Sequence, residues 1–248
     1  MARAALSGRL TWQLAEVVEV LTETPRVKTI AFDVPDWAGH RAGQHVDVRL
    51  TAEDGYQAER SYSIASAPNG TRLELTVVRI ADGEVSPYLA DELRPGDRIE
   101  LRGPVGGYFV WEPPQGGPLL LVAGGSGIAP LMAMIRLRAA AGSDVDTRLL
   151  FSSRGWDDII YREELERLNS NGLTVVHTLT SSQPPGWTGY ARLVDAEMLA
   201  EIAPSPADRP RVYVCGPTPF VEAVAEALVH LGHAPQGIRT ERFGPTGG

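Results

Sequence analysis

A chain of 248 residues, 43% hydrophobic and 22% charged, has room for one large or two ordinary core-forming domains. Its net charge of −8, with no basic run and no aromatic stripe among the cations, argues against non-specific nucleic-acid binding. Cys215 is the only cysteine, which excludes an intrachain disulfide framework, a cysteine zinc site and a four-cysteine iron–sulfur cluster, and fits a cytoplasmic setting. Lys28 is the only lysine, so arginine carries nearly all the positive charge.

The opening MARAALSGR has no apolar core of the kind a secretory leader needs. Five segments then read as strands: 12–21, 26–34, 45–51, 56–65 and 72–80. They are rich in β-branched residues and bounded by Thr24-Pro25, Pro35-Asp36, Asp54-Gly55 and Pro68-Asn69-Gly70. Short strands at near-regular spacing predict an antiparallel barrel or sandwich. One helical signal interrupts them, with Ser86 as N-cap, Pro87 at the first helical position and Tyr88, Leu89 and Leu93 as the apolar stripe. A further strand over 99–102 leads into Gly103-Pro104-Val105-Gly106-Gly107.

Proline and glycine crowd residues 111–118 (WEPPQGGP), and the periodicity changes on either side, so a domain boundary is placed at 112/113. Beyond it strand and helix alternate. Strands are expected at 119–123, 148–152, 173–180, 211–214 and 238–243. Helices are expected at 129–140 and 158–168, then a short one capped by Asp195, and one capped by Thr218 and opened by Pro219. That alternation predicts a parallel sheet with helices on both faces. Residues 113–135 are uncharged for long enough to mimic a membrane span, but their prolines and glycines read as strand, turn and helix.

The stretch LLLVAGGSGIAPLMAMI (119–135) brings a buried strand through Gly124, Gly125, Ser126 and Gly127 into a helix. Glycine lets a backbone approach an anion, and a helix N-terminus presents free N–H groups to it. In Gly125-x-Gly127-x-x-Pro130 a proline replaces the third glycine of the dinucleotide fingerprint. About a strand later stand Ser152-Ser153-Arg154, where an NAD fingerprint would have an acid. A guanidinium flanked by hydroxyls suits a ribose 2′-phosphate, which points to NADPH, with NADH the alternative. The same turn also resembles a nucleophile elbow with Ser126 as the serine, although Ile128 replaces its final glycine.

Arg60-Ser61-Tyr62-Ser63 closes a strand, and a period of two puts Arg60 and Tyr62 on one face. From the pattern alone, an ordinary strand with alternating polar residues is the better account. RSYS, VVRIADGEVSPYL (77–89), GPVGGYF (103–109), GGSGIAP and Cys215-Gly216-Pro217 nevertheless occur in one order and spacing. Through them the chain resembles the ferredoxin–NADP reductase superfamily, specifically the flavin and nicotinamide module of oxygenase reductases.

That resemblance implies a flavin-binding Greek-key barrel over 1–112 and an NAD(P)H-binding α/β domain over 113–248. Arg60 would contact the flavin pyrophosphate, Tyr62 would stack on the isoalloxazine ring, and Ser63 would hydrogen-bond near flavin N5. Val77, Val78, Arg79, Gly83, Val85 and Ser86 would complete the FAD site. The helix N-terminus there would add about 0.3–1 kcal/mol for an exposed anion. Gly125, Ser126 and Gly127 would line the dinucleotide pyrophosphate path, Ser153 and Arg154 the 2′-phosphate, and Cys215, Gly216 and Pro217 the nicotinamide. The catalytic pair would be Ser63 and Cys215, although a cysteine at a strand end is also simply a small buried residue.

Phe243 would approach the flavin ahead of the Gly-Pro-Thr-Gly-Gly tail. FMN is the alternative flavin. With one cysteine there is no place for the iron–sulfur domain many relatives carry, so the expected partner is a separate ferredoxin or oxygenase component. A free-flavin reductase and an accessory flavin-binding subunit are the alternatives. His40, His45, His177, His230 and His233 show no metal-ligating spacing, so no metal is expected. His230 and His233 fit the C-terminal end of a helix dipole.

Overall fold

The structure, a computed structural model, describes residues 10–170 and 172–244. The expectations for the first nine residues and for residues 245–248 lie outside that range.

Six strands form the first sheet: β1 (Trp12–Thr24), β2 (Val27–Asp33), β3 (His45–Thr51), β4 (Gln57–Ser63), β5 (Arg72–Val78) and β6 (Arg98–Val105). All pairings are antiparallel in the order β4-β3-β6-β1-β2-β5. A bridge from Ile64 to Leu75 joins the two outer strands and closes the sheet into a barrel. Closure removes the exposed edges an open sheet would leave. Alternation fills the interior, since Val46 and Val48 on β3 and Leu73, Leu75 and Val77 on β5 are fully buried. Each such aliphatic side chain contributes roughly 1.5–3 kcal/mol through burial.

The helical signal at 86–93 is realised as one wide turn over Tyr88–Glu92, with the Leu93 N–H donating to the Tyr88 carbonyl. Ser86 does not cap it. Its hydroxyl accepts the Ile80 N–H at 3.1 Å and closes the 80–86 loop instead.

The second sheet is parallel throughout: β7 (Leu119–Gly124), β8 (Thr147–Ser153), β9 (Leu173–Leu179), β10 (Arg211–Pro217) and β11 (Ile238–Phe243), in the order β11-β10-β7-β8-β9. Central β7 is buried along its whole length, as a strand covered on both faces must be. Leu119, Leu121 and Ala123 face the layer holding helices α1 (Ile128–Ala140) and α2 (Arg162–Leu168). Leu120 and Val122 face α3 (Ala196–Ile202) and α4 (Thr218–His230). Asp195 caps α3 as its position predicts, accepting the Met198 N–H at 2.8 Å. Thr218 makes no capping bond and is itself the first residue of α4. His233 is buried with its pKa lowered by desolvation, so a charge–dipole contact does not account for it. Among the described residues no helix is long and apolar enough to cross a membrane.

Helix α1 is buried over Ile128–Ile135 and belongs to one apolar cluster with Val27, Ala42, Ala65 and Phe109 of the barrel. Polar contacts frame this shared core. Arg136 on α1 binds Glu164 at 2.7 Å, and reaches Glu74 at 2.8 Å and the Ala65 carbonyl at 2.9 Å in the barrel. Tyr161 bonds to Thr76, which bonds to Thr29 at 3.1 Å, and the Tyr161 N–H reaches Glu23 at 3.2 Å. These contacts hold Tyr161 at φ 58, and α2 therefore starts at Arg162 rather than near 158.

Candidate functional site

The barrel contributes a cavity of about 320 Å³ lined by Arg60, Ser61, Tyr62 and Ser63 of β4. Val78, Gly83, Val85 and Ser86 line it as well. Burial pushes the Tyr62 phenol up to about 12, so the ring is neutral at physiological pH and offers a flat wall. Arg60 is already engaged, because Glu84 binds its guanidinium at 2.5 Å and also accepts the Tyr56 hydroxyl at 2.5 Å. The bond from Tyr56, and then that from Arg60, lowers the Glu84 pKa. Two residues expected here point elsewhere. The Val77 side chain lies in the barrel core, and Arg79 binds Asp91 at 2.6 Å outside the cavity.

From the other half, the carboxyl ends of β7, β8 and β10 open onto a cleft of about 390 Å³ lined by Gly124, Gly125, Ser126, Ser152, Ser153, Arg154 and Pro217. Ligands of parallel sheets enter at this end. Gly125 has φ +55 and no atom within 4 Å of where a Cβ would stand, which leaves its backbone open to a ligand. The Ser153 hydroxyl is buried without a partner, and among the described residues no carboxylate lies within salt-bridge distance of Arg154.

Gly127 and Gly216 line neither cavity. A Cβ on Gly127 would overlap the Cys215 carbonyl, and one on Gly216 would meet the Phe220 ring at 2.7 Å. Both glycines therefore serve close packing of α1 and α4 against β10.

Val78, Ser126 and Phe243 wall both cavities, so the barrel cavity and the sheet cleft adjoin across these three residues. Cys215 lines the barrel-side cavity. Burial, reinforced by the Glu241 carboxylate, pushes its thiol well above the ordinary range, so the sulfur is protonated and is not a nucleophile. Glu241 sits beside Cys215 in the β10–β11 register. Desolvation raises its pKa to about 7, and its Oε2 is buried without a partner. The other oxygen lies 3.9 Å from His45 Nδ1, and burial keeps His45 below its usual pKa. No histidine lines either cavity beside Ser126, which leaves the hydrolase reading without a general base.

Sequence reasoning missed Arg26 and Phe220, which line the sheet-side cleft, and Glu84, which holds Arg60. Arg26 stands alone after a proline in the β1–β2 turn, and nothing local marks it. Glu84 stands inside the loop of residues 80–86, where an acid beside an expected anion site is itself a signal.

These features fit two ligands. The cleft, which Asp158 also lines, offers a buried hydroxyl and two arginines that hold no carboxylate among the described residues, a donor set suited to phosphate; the barrel cavity offers a neutral aromatic wall for a planar ring. Comparison with known proteins agrees. Residues 14–110 match an oxidoreductase FAD-binding domain and residues 121–226 an oxidoreductase NAD-binding domain. The chain is 36% identical over 238 residues to ferredoxin–NADP reductase B of Sorangium cellulosum, covering 92% of this chain and 96% of that one. It is 34% identical to the glycine betaine monooxygenase reductase subunit of Pseudomonas aeruginosa, over 95% of this chain but only 66% of that protein's length. The crystal structure of an Amycolatopsis cytochrome P450 reductase superposes with a TM-score of 0.82 at 28% identity, covering 95% of this chain and 71% of that one.

Proposed function

The chain belongs to the ferredoxin–NADP reductase superfamily, and on that premise we propose that it oxidises NADPH through bound FAD and delivers electrons singly to a separate iron–sulfur carrier or oxygenase component. The observation that carries this reading is the shared wall of Val78, Ser126 and Phe243, which sets the barrel cavity and the sheet cleft side by side. When bound, FAD supplies hydride acceptance and one-electron release.

The chain's own residues supply position and exclusion of water. Tyr62 gives a neutral face against which the ring rests. Ser63 and Ser126 line the barrel-side cavity from opposite halves. Cys215, protonated and buried, fills the hydride-transfer region without adding charge, and Glu241 behind it holds a proton up to about pH 7. Arg154, Ser153 and Arg26 hold phosphate. The domain division falls at 112/113 in this reading, and the cytoplasm is the proposed location.

Anaerobic titration tests it. FAD-loaded protein should lose its visible flavin absorbance on adding NADPH, and should reduce ferricyanide steadily. Protein that cannot retain or reduce flavin refutes the proposal. One observation favours a second reading, in which flavin is an exchangeable substrate. Glu84 neutralises Arg60, so incoming flavin phosphate competes with an internal carboxylate. Turnover that needs excess free flavin would select that reading.

A further inference from the structure

Arginines without a carboxylate partner gather in a second place. Arg41, Arg49, Arg136 and Arg148 each hold an aspartate or glutamate, as the acidic balance of this chain leads one to expect. Among the described residues Arg209, Arg211 and Arg239 hold none, and all three line one cavity of about 230 Å³. This cavity lies where β10 and β11 begin, at the amino ends of the parallel strands. It is separated from Pro217 in the cofactor cleft by the length of β10, roughly 20 Å at the usual rise per strand residue.

Two of the three guanidinium groups make their hydrogen bonds along one edge only, and that of Arg239 also lies over the rings of Tyr108 and Tyr213 at 5.9 and 5.5 Å. Arg211 Nε donates to the Gln115 carbonyl at 3.0 Å, and Arg239 donates through one terminal nitrogen to the Val110 carbonyl at 2.7 Å and the Tyr213 hydroxyl at 3.0 Å. Among the described residues, neither terminal nitrogen of Arg211 and only one of Arg239 has a hydrogen-bond partner. Gln115, which also lines the cavity, has a buried Oε1 without a partner, and rotation of its carboxamide would offer an N–H in that position. Arg209 stands at φ 50, a left-handed backbone conformation that is strained for a non-glycine residue. Three like charges around one small space repel one another unless an anion joins them, and forked guanidinium donors match the oxygens of a phosphate.

We propose that this distal cavity is an oxyanion site taking a phosphate dianion, free or as a phosphomonoester. The site is separate from the cofactor cleft and does not depend on the reductase reading.

The test uses FAD-loaded protein without added nucleotide, because the 2′-phosphate of NADP⁺ is itself a phosphomonoester, at constant ionic strength set with chloride. Inorganic phosphate and glycerol phosphate are titrated separately, followed by melting temperature and calorimetry. Saturable stabilisation by either probe is expected. The response to both distinguishes free phosphate from an organic ester as the better ligand. Arg209→Gly should weaken phosphate about tenfold while the phosphate-free melting temperature holds or rises, because glycine tolerates φ 50. Arg154→Ala should leave the distal response intact. A response no larger than with chloride, one retained in Arg209→Gly, or one lost in Arg154→Ala would each overturn the proposal.

Discussion

The two adjoining cavities treat polar groups in opposite ways. On the barrel side they are already satisfied by the protein: Glu84 holds Arg60 and Tyr56, and Asp47 accepts the Ser61 hydroxyl at 2.7 Å. On the sheet side, Ser153 Oγ is buried without a partner, and among the described residues Arg154 and Arg26 hold no carboxylate. The contrast separates the sources of affinity. A ligand on the sheet side completes hydrogen bonds that folding left unmade, whereas on the barrel side it must displace an internal anion and draw its affinity chiefly from ring contact.

The largest effect should come from Glu241. Its folded pKa of about 7 lies above the ordinary 4.5, so the folded state holds an extra proton between those values. Its stabilising contribution is therefore complete below about pH 4.5 and is lost as pH rises through 7, by about 3 kcal/mol in all. Denaturant midpoints of Glu241→Gln against the parent should diverge as pH rises from 5 to 8, with the variant more stable at the alkaline end. Parallel curves would mean that Glu241 finds a partner in solution.

Next in size is Tyr62→Ala, which removes the neutral wall and should weaken flavin by about 1–3 kcal/mol, roughly 5- to 150-fold in dissociation constant by fluorescence titration. Arg154→Ala should weaken NADPH by about 1.5–3 kcal/mol and NADH far less, read from competition with NADP⁺ and NAD⁺. Equal losses would remove the 2′-phosphate assignment. The smallest effect belongs to Glu84→Gln, which frees Arg60 and should tighten FAD by roughly two- to fivefold at low salt, less as salt screens the phosphate contact. Weaker flavin binding in that variant would show Glu84 to be a support for Arg60 rather than its competitor.

What was legible in the sequence was local. Alternating residues such as Val46 and Val48 announce a half-buried strand, the run at 119–123 announces a buried one, and Asp195 announces a cap because its partner N–H lies three residues on. The turn from Gly124 to Gly127 and the Ser153-Arg154 pair placed the cleft for the same reason. Within that turn, however, Gly125 faces open space and Gly127 faces the Cys215 backbone, a difference set by β10, which lies far along the chain. Ser86 also has the residue type of a cap, but a closer N–H, that of Ile80, wins its hydroxyl. The joint between the halves was not legible at all. Tyr161 and Thr76, like Arg136 and Glu74, are brought together only by the finished fold.

Helix α1 has a consequence for how the molecule comes apart. Because its side chains complete the interior of the parallel-sheet half and also press on Val27, Ala42 and Ala65 of the barrel, neither sheet can melt without stripping cover from the other. Heating should therefore give a single cooperative transition, with fluorescence from Trp37 in the barrel and from Trp187 in the opposite half changing at the same temperature.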